Sequence, residues 1–172
     1  GGVGLGFANV VRKGSIGAIG AAGTGLQEFT SQVHNAGLGI SHAIGTGGHD
    51  LSDQIGGLTT FAALDALEAD PQTKVIVVIS KPPGAKTLAQ LVERFKTCEK
   101  LVIGCFLGVR AEIKNTDTFQ RASTIDAAVR LAVKIIGGET ASNETTFTPA
   151  ELELISQEKA AWGFEQKYLR GL

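Results

Sequence analysis

The run Gly20-Ala-Ala-Gly-Thr-Gly25 contains the residue types that bind an anion through the backbone. It follows a short apolar segment and precedes a helical pattern, so its amide groups and the positive end of the helix dipole would point at a bound group. Ala22, Gly23 and Gly25 let a phosphate or carboxylate approach the backbone, and the Thr24 hydroxyl adds a donor. The sequence therefore predicts anion binding here, with a tight strand–helix turn that holds no ligand as the alternative.

A second glycine-rich run, Gly45-Thr-Gly-Gly-His-Asp50, ends in two side chains that suit acid–base chemistry. His49 is a candidate acid, base or phosphate acceptor, with Asp50 orienting its ring. Gly47 and Gly48 leave room for an anion. The alternative is an ordinary loop contact between neighbouring side chains. We assign His49 and Asp50 as candidate catalytic residues, and both glycines as candidate anion ligands.

Lys81 is followed by two prolines at the end of a β-branched run, which makes it a rigidly placed cation that suits an anionic substrate. A solvated surface lysine is the alternative. Two common nucleotide-binding loops are excluded, because the first run has the glycine spacing G-x-x-G-x-G rather than G-x-G-x-x-G, and no Gly-Lys-Ser/Thr occurs. The histidines and carboxylates lack the spacing of a metal site, so no metal is predicted.

Alternating strand and helix patterns place these residues at the ends of strands. Apolar runs predict strands over residues 15–20, 40–44, 75–79 and 101–106. Ser123 with Asp126 is predicted to cap the helix that follows the last of them. Strand–helix alternation requires a parallel sheet, in which ligands bind beyond the carboxyl ends of the strands. We therefore predict an α/β fold, a flavodoxin-like open parallel sheet of order about 2-1-3-4 flanked by helices, with a C-terminal helical arm.

The domain organisation follows from shifts in this pattern. We predict a lead-in over 1–14, the α/β domain over 15–137, a linker over 138–147 and an amphipathic helix over 148–172. Thr148, Pro149 and Glu151 have the order of a capping box with proline at the first helical position. The chain begins with two glycines and contains no methionine, and we interpret it as a piece of a longer protein.

Composition limits the class of partner. The net charge of −1 gives no field that attracts nucleic acid or a membrane surface, so neither is an expected partner. No apolar run approaches the ~20 residues of a membrane span. Cys98 and Cys105 are too few for a disulfide framework and are interpreted as reduced core thiols of a cytoplasmic protein.

Three segments resemble the FdrA family, which belongs with the succinyl-CoA synthetase α-subunits and ADP-forming acyl-CoA synthetases. They are Gly14–Glu28, His42–Ser52 and Ser80–Pro83. The resemblance implies that residues 15–137 are the flavodoxin-like ligase domain. It also implies that a Rossmann-like CoA-binding domain and a C-terminal domain are missing, so that CoA or ATP would be bound in the complete complex rather than by this piece.

In the succinyl-CoA synthetase group, the glycine loop would face a phosphorylated histidine carried after the fourth strand. The corresponding stretch here, residues 108–117, contains no histidine. FdrA-type proteins are also associated with purine and allantoin breakdown, as a subunit of oxamate carbamoyltransferase. The resemblance therefore favours carbamoyl transfer between carbamoyl phosphate and oxamate.

Two other functions stay open. One is a subunit of an NDP-forming acyl-CoA synthetase, and the other is a non-catalytic scaffold domain for subunit assembly. The expected partners are small anions (phosphate, carbamoyl phosphate or a carboxylate) together with other subunits or further copies of the chain.

Overall fold

A computed structural model describes residues 9–137 and 147–160. The chain divides into two compact units, residues 1–140 and 141–172. The first unit contains the elements β1 (Lys13–Ala21), α1 (Gly23–Asn35), β2 (Ile40–Gly45), α2 (Leu58–Ala69), β3 (Val75–Ser80), α3 (Ala85–Lys96), β4 (Leu101–Phe106), β5 (Phe119–Ala122) and α4 (Ile125–Ile136). The second contains α5 (Pro149–Ala160).

The five strands form one parallel sheet in the order β2-β1-β3-β4-β5. This confirms the predicted flavodoxin-like sheet and its order 2-1-3-4. The additional strand β5 has the sequence Phe-Gln-Arg-Ala. Two of its four residues are polar, which is why the apolar runs do not predict it.

The central strand β3 separates two apolar layers. All six of its residues are buried, as expected for a parallel strand that is covered on both faces. Val75, Val77 and Ile79 pack with α1 and α4 on one face of the sheet. Ile76 and Val78 pack with α2 and α3 on the other face. Alternate side chains of β3 thus pack against the helices on both faces of the sheet.

The two cysteines lie in these layers. Cys98 and Cys105 are both buried and unpaired. Burial raises the pKa of the Cys98 thiol, and it raises the pKa of the Cys105 thiol to about 11. This confirms that they are core thiols.

The cap of α4 differs from the prediction by one residue. The Thr124 hydroxyl accepts a hydrogen bond from the Ala127 amide at 3.1 Å, so the prediction of Ser123 as the cap is wrong. Both residues carry a hydroxyl, and the sequence pattern does not separate them. Asp126 lies in the first turn and pairs with Arg130 one turn later.

The start of α5 is confirmed as a capping box. The Glu151 carboxylate accepts from the Thr148 amide at 2.7 Å, and the Glu151 amide donates to the Thr148 hydroxyl at 3.3 Å. The predicted lead-in and linker lie largely outside the described residues, and the described part of the predicted arm ends at Ala160. Among the described helices, none is long and apolar enough to cross a bilayer.

Candidate functional site

The neighbouring strands β1 and β3 form the switch point of the sheet. The helix that follows β1 packs on one face, and the helix that follows β3 packs on the other. In open parallel α/β sheets such a divergence creates a crevice beyond the carboxyl ends of the two strands, and ligands bind there. Ala21 is the sheet partner of Ser80. Ala22 and Lys81, the next residue of each strand, therefore begin the two segments that border the crevice.

The α1 helix begins at this crevice without a side-chain cap. Its N-cap residue, Ala22, has no side-chain oxygen to accept from the first turn. The first amide to bond within the helix is that of Leu26, which donates to the Ala22 carbonyl at 2.9 Å. The amides of Gly23, Thr24 and Gly25 are left without an acceptor in the described part of the chain. Free amides of this kind, together with the positive end of the helix dipole, suit an anion.

The junction between β1 and α1 is tighter than the sequence indicates. Gly20 belongs to the strand and Gly23 to the helix, so Ala22 alone connects them. A Cβ added at Gly20 would lie 2.7 Å from the Leu26 Cβ, and one added at Gly25 would lie 3.2 Å from the Ile79 Cγ2. These glycines let the helix start close to the sheet.

Asp50 has a structural partner that lies outside its own loop. One carboxylate oxygen accepts from the Thr59 amide at 3.0 Å. The other accepts from the Thr60 amide at 2.9 Å and from the Thr60 hydroxyl at 2.7 Å. Burial would raise the pKa of Asp50, but these hydrogen bonds outweigh it and lower the pKa. Asp50 therefore caps α2, and its predicted role beside His49 stays a prediction.

His49 lies on the exposed surface of the segment between β2 and α2. Its carbonyl accepts from the Ser52 amide at 3.0 Å, which fixes the backbone. Its imidazole makes no hydrogen bond within the described ranges 9–137 and 147–160. Gly47 and Gly48 leave open space where a side chain would be, and Gly47 has a φ of +88°, which favours glycine. The segment is thus accessible to a ligand.

The predicted segments meet at one edge of the sheet. The Thr46 amide donates to the Gly20 carbonyl at 2.9 Å, which joins the end of β2 to that of β1. Lys81 is exposed directly after β3. The Ser80 hydroxyl donates to the Lys81 carbonyl at 2.6 Å, and the Leu107 amide donates to the Ser80 carbonyl at 2.8 Å. The structure therefore brings the predicted anion ligands to neighbouring strand ends.

The sequence patterns do not identify Asp53 as a functional residue. Its Oδ1 accepts from the Thr87 amide at 2.9 Å and from the Thr87 hydroxyl at 3.0 Å. The hydrogen bond from the Thr87 amide is the main reason that the pKa of Asp53 is lowered. Asp53 therefore caps α3 from the segment that follows β2, a relation that no local capping pattern indicates.

The segment between β4 and β5 is held by Arg121. Its guanidinium donates to the carbonyls of Val109 and Ala111. Its amide donates to the Asn115 Oδ1 at 2.8 Å. An open concavity of about 500 Å³, lined in part by Glu112 and Lys114, lies on this segment rather than at the start of α1. The described residues include no group of three or more His, Cys, Asp or Glu side chains that would hold a metal ion.

The two capping carboxylates predict a loss of stability in acid. The folded-state pKa of Asp50 and that of Asp53 lie below the ordinary value, so their stabilisation is fully present above the unfolded-state pKa of about 3.9. It is lost as the pH falls through the lower folded-state pKa, because the proton then favours the unfolded chain. Urea unfolding between about pH 2 and pH 6 should show this decline, and Asp50→Asn should make it shallower. An unchanged slope in that variant would contradict the assignment.

Comparison with known proteins identifies a matching family and several similar proteins. The profile of the CoA binding domain family matches residues 11–103, more than half of the chain. The uncharacterized protein YahF of Escherichia coli (strain K12) is 41% identical over 173 residues, which cover 99% of this chain and 33% of that protein.

Two further relatives are named as subunits of CoA ligases. The ADP-forming sulfoacetate-CoA ligase subunit SqwL of Acholeplasma sp is 33% identical over 107 residues, covering 61% of this chain and 34% of SqwL. The alpha subunit of the ADP-forming succinate–CoA ligase of Aquifex aeolicus (strain VF5) is 31% identical over 111 residues, covering 63% of this chain and 34% of that subunit. The chain spans about a third of the length of these curated relatives.

Proposed function

Because the chain belongs to the CoA-binding domain family, we propose that it is part of a CoA ligase subunit in which it binds a phosphate-bearing ligand. The observation that carries the proposal is the start of α1. The N-termini of the other four described helices are each capped by a side-chain oxygen. The capping residues are Asp50, Asp53, Thr124 and Thr148. The first turn of α1 has no such acceptor and lies at the switch point of the sheet.

This proposal replaces carbamoyl transfer as the leading function. Two of the relatives carry the names of ADP-forming CoA ligase subunits, and neither name refers to carbamoyl transfer. The comparisons thus support the acyl-CoA synthetase alternative, and they give no support to a role in allantoin breakdown.

We place residues 15–137 as the flavodoxin-like, ligase-type domain of that subunit. Since the CoA binding domain family matches residues 11–103, this proposal drops the expectation that CoA binding lies wholly outside this chain. The strand order 2-1-3-4-5 supports this placement, because a dinucleotide-binding Rossmann sheet has the order 3-2-1-4-5-6 instead. The relatives are about three times as long as the stretch that they share with this chain. In this proposal further domains and a partner subunit complete the enzyme, with CoA and a nucleotide as its ligands.

Each residue of the crevice then has a specific task. The amides of Gly23, Thr24 and Gly25 donate to the oxygens of a phosphate group, and Lys81 neutralises part of its charge. Gly47 and Gly48 leave the segment after β2 open to the ligand. His49 supplies an additional polar or acid–base contact. The segment between β4 and β5 has no histidine, so the proposal assigns this chain phosphate binding and not a phosphohistidine on that segment.

A charge placed at Thr24 tests the site. Thr24 is exposed in the first turn of α1, and we expect Thr24→Glu to weaken binding of CoA or inorganic phosphate at least about 100-fold. Like charges ~4 Å apart repel by about 4 kcal/mol at an effective dielectric constant of about 20. A carboxylate in the first turn favours the helix itself, so the variant should remain folded. Isothermal titration calorimetry of the complete protein measures the effect.

Thr24→Gln is the matched control, because glutamine has the size of glutamate without its charge. We expect this variant to bind within about threefold of the wild-type affinity, an energy difference of about 0.7 kcal/mol. Equal binding by both variants and the wild type would refute the proposed site.

A further inference from the structure

We infer that Asp53 is a positioning residue for the anion site, which it serves by fixing the segment that carries Lys81. This inference rests on the proposed function, since it concerns the same crevice. Asp53 itself does not border α1. It acts through the start of α3, on the side of the crevice opposite the first turn of α1.

A set of hydrogen bonds, here named the brace, joins residues 51–53 to residues 84–87. The Gly84 amide donates to the Leu51 carbonyl at 2.9 Å. The Thr87 amide donates to the Asp53 Oδ1 at 2.9 Å. The Thr87 hydroxyl lies 3.0 Å from the same oxygen and 3.3 Å from the Ser52 carbonyl oxygen. Thr87 is only 1% exposed, whereas Asp53 is exposed, so only the threonine end of these bonds is shielded from water.

The two halves of the brace touch at the backbone. A Cβ added at Gly84 would lie 2.2 Å from the Asp53 Oδ1 and 2.6 Å from the Asp53 amide nitrogen. Glycine is therefore required at this position for contact between the segments. The contact brings the chain that leaves β2 directly against the chain that leaves β3.

The brace fixes one end of the short segment that carries Lys81. At the other end Ser80 is hydrogen-bonded into the sheet opposite Ala21. Between them Pro82 and Pro83 have restricted φ angles. With both ends held and two prolines inside, Lys81 has a fixed backbone beside the start of α1. Loss of the Asp53 carboxylate removes two of the four hydrogen bonds of the brace and leaves the Gly84 end held only through the Leu51 and Ser52 carbonyls, which loosens this placement.

The experiment compares Asp53→Ala with Asp53→Asn in the complete protein. Both variants lose one negative charge, but the asparagine Oδ1 still accepts from Thr87. We expect Asp53→Ala to weaken CoA and phosphate binding about tenfold, and Asp53→Asn to restore it to within about threefold, which correspond to about 1.4 and 0.7 kcal/mol. Thermal melts of each variant confirm that binding is measured on folded protein. Asp65→Ala, which removes an exposed carboxylate on α2, should bind like the wild type.

A double-mutant cycle with Lys81→Gln separates positioning from general destabilisation. If Asp53 acts through Lys81, the affinity of the double variant should equal that of whichever single variant has the lower affinity. Wild-type affinity in Asp53→Ala, or fully additive losses in the double variant, would overturn the inference. If Thr24→Glu weakens binding while Asp53→Ala does not, only the positioning role fails. If Thr24→Glu itself has no effect, the site and the positioning role are both refuted.

Discussion

Replacing Asp50 by alanine should lower the free energy of unfolding by about 3 kcal/mol. The side chain is only 4% exposed and accepts three hydrogen bonds from the first turn of α2. Its removal leaves the buried Thr60 amide and hydroxyl without this acceptor, and each unsatisfied buried group costs about 1–3 kcal/mol. Loss of a helix cap by itself costs about 1 kcal/mol. Urea unfolding at neutral pH measures the change.

Two variants check the cause of this loss. Asp50→Asn keeps an acceptor oxygen and should cost less than the alanine variant. Asp65→Ala removes an exposed carboxylate of the same helix that pairs with Arg94 at 2.8 Å and should change stability by less than about 1 kcal/mol. A loss below about 1 kcal/mol in Asp50→Ala would show that the cap contributes little.

The sheet could be predicted because its central strand, β3, has a clear signal in the sequence. Val75 to Ile79 is a continuous β-branched run, and two prolines soon after Ser80 end it. Such a run indicates a strand buried on both faces, and that places it in the middle of a parallel sheet. The edge strand β5 lacks this signal, since Gln120 and Arg121 are half-buried and polar. Its place depends on pairing with β4, which a local pattern does not contain.

The candidate site could be predicted in part for a similar reason. Gly23 to Gly25 lie next to each other in sequence, and their small size and position before a helix are local properties. The roles of Asp50 and Asp53 are not local. Asp50 caps a helix that begins eight residues later, and Asp53 bonds to Thr87 at a separation of 34 residues. Only the folded structure shows that these two carboxylates cap the N-termini of α2 and α3, whereas the N-terminus of α1 has no side-chain cap.

Gly20 and Gly45 allow the role of the tight β1–α1 junction to be tested with neighbouring residues. The two glycines are sheet partners at the same edge, but a Cβ at Gly20 would meet the Leu26 Cβ at 2.7 Å, whereas one at Gly45 would meet nothing within 4 Å. We expect Gly20→Ala to cost about 2 kcal/mol in unfolding free energy, as overpacked sites do. Gly45→Ala should be neutral or stabilising by up to about 1 kcal/mol.

The same pair links the fold to the site. The Leu26 Cβ is attached to the helix backbone, so relief of the clash in Gly20→Ala requires the first turn of α1 to move away from the sheet. That movement carries the amides of Gly23 and Gly25 out of the crevice, and phosphate binding should weaken about tenfold, or about 1.4 kcal/mol. Gly45→Ala leaves α1 in place and should retain wild-type affinity. If Gly20→Ala loses stability but binds phosphate normally, the ligand does not depend on the first turn of α1.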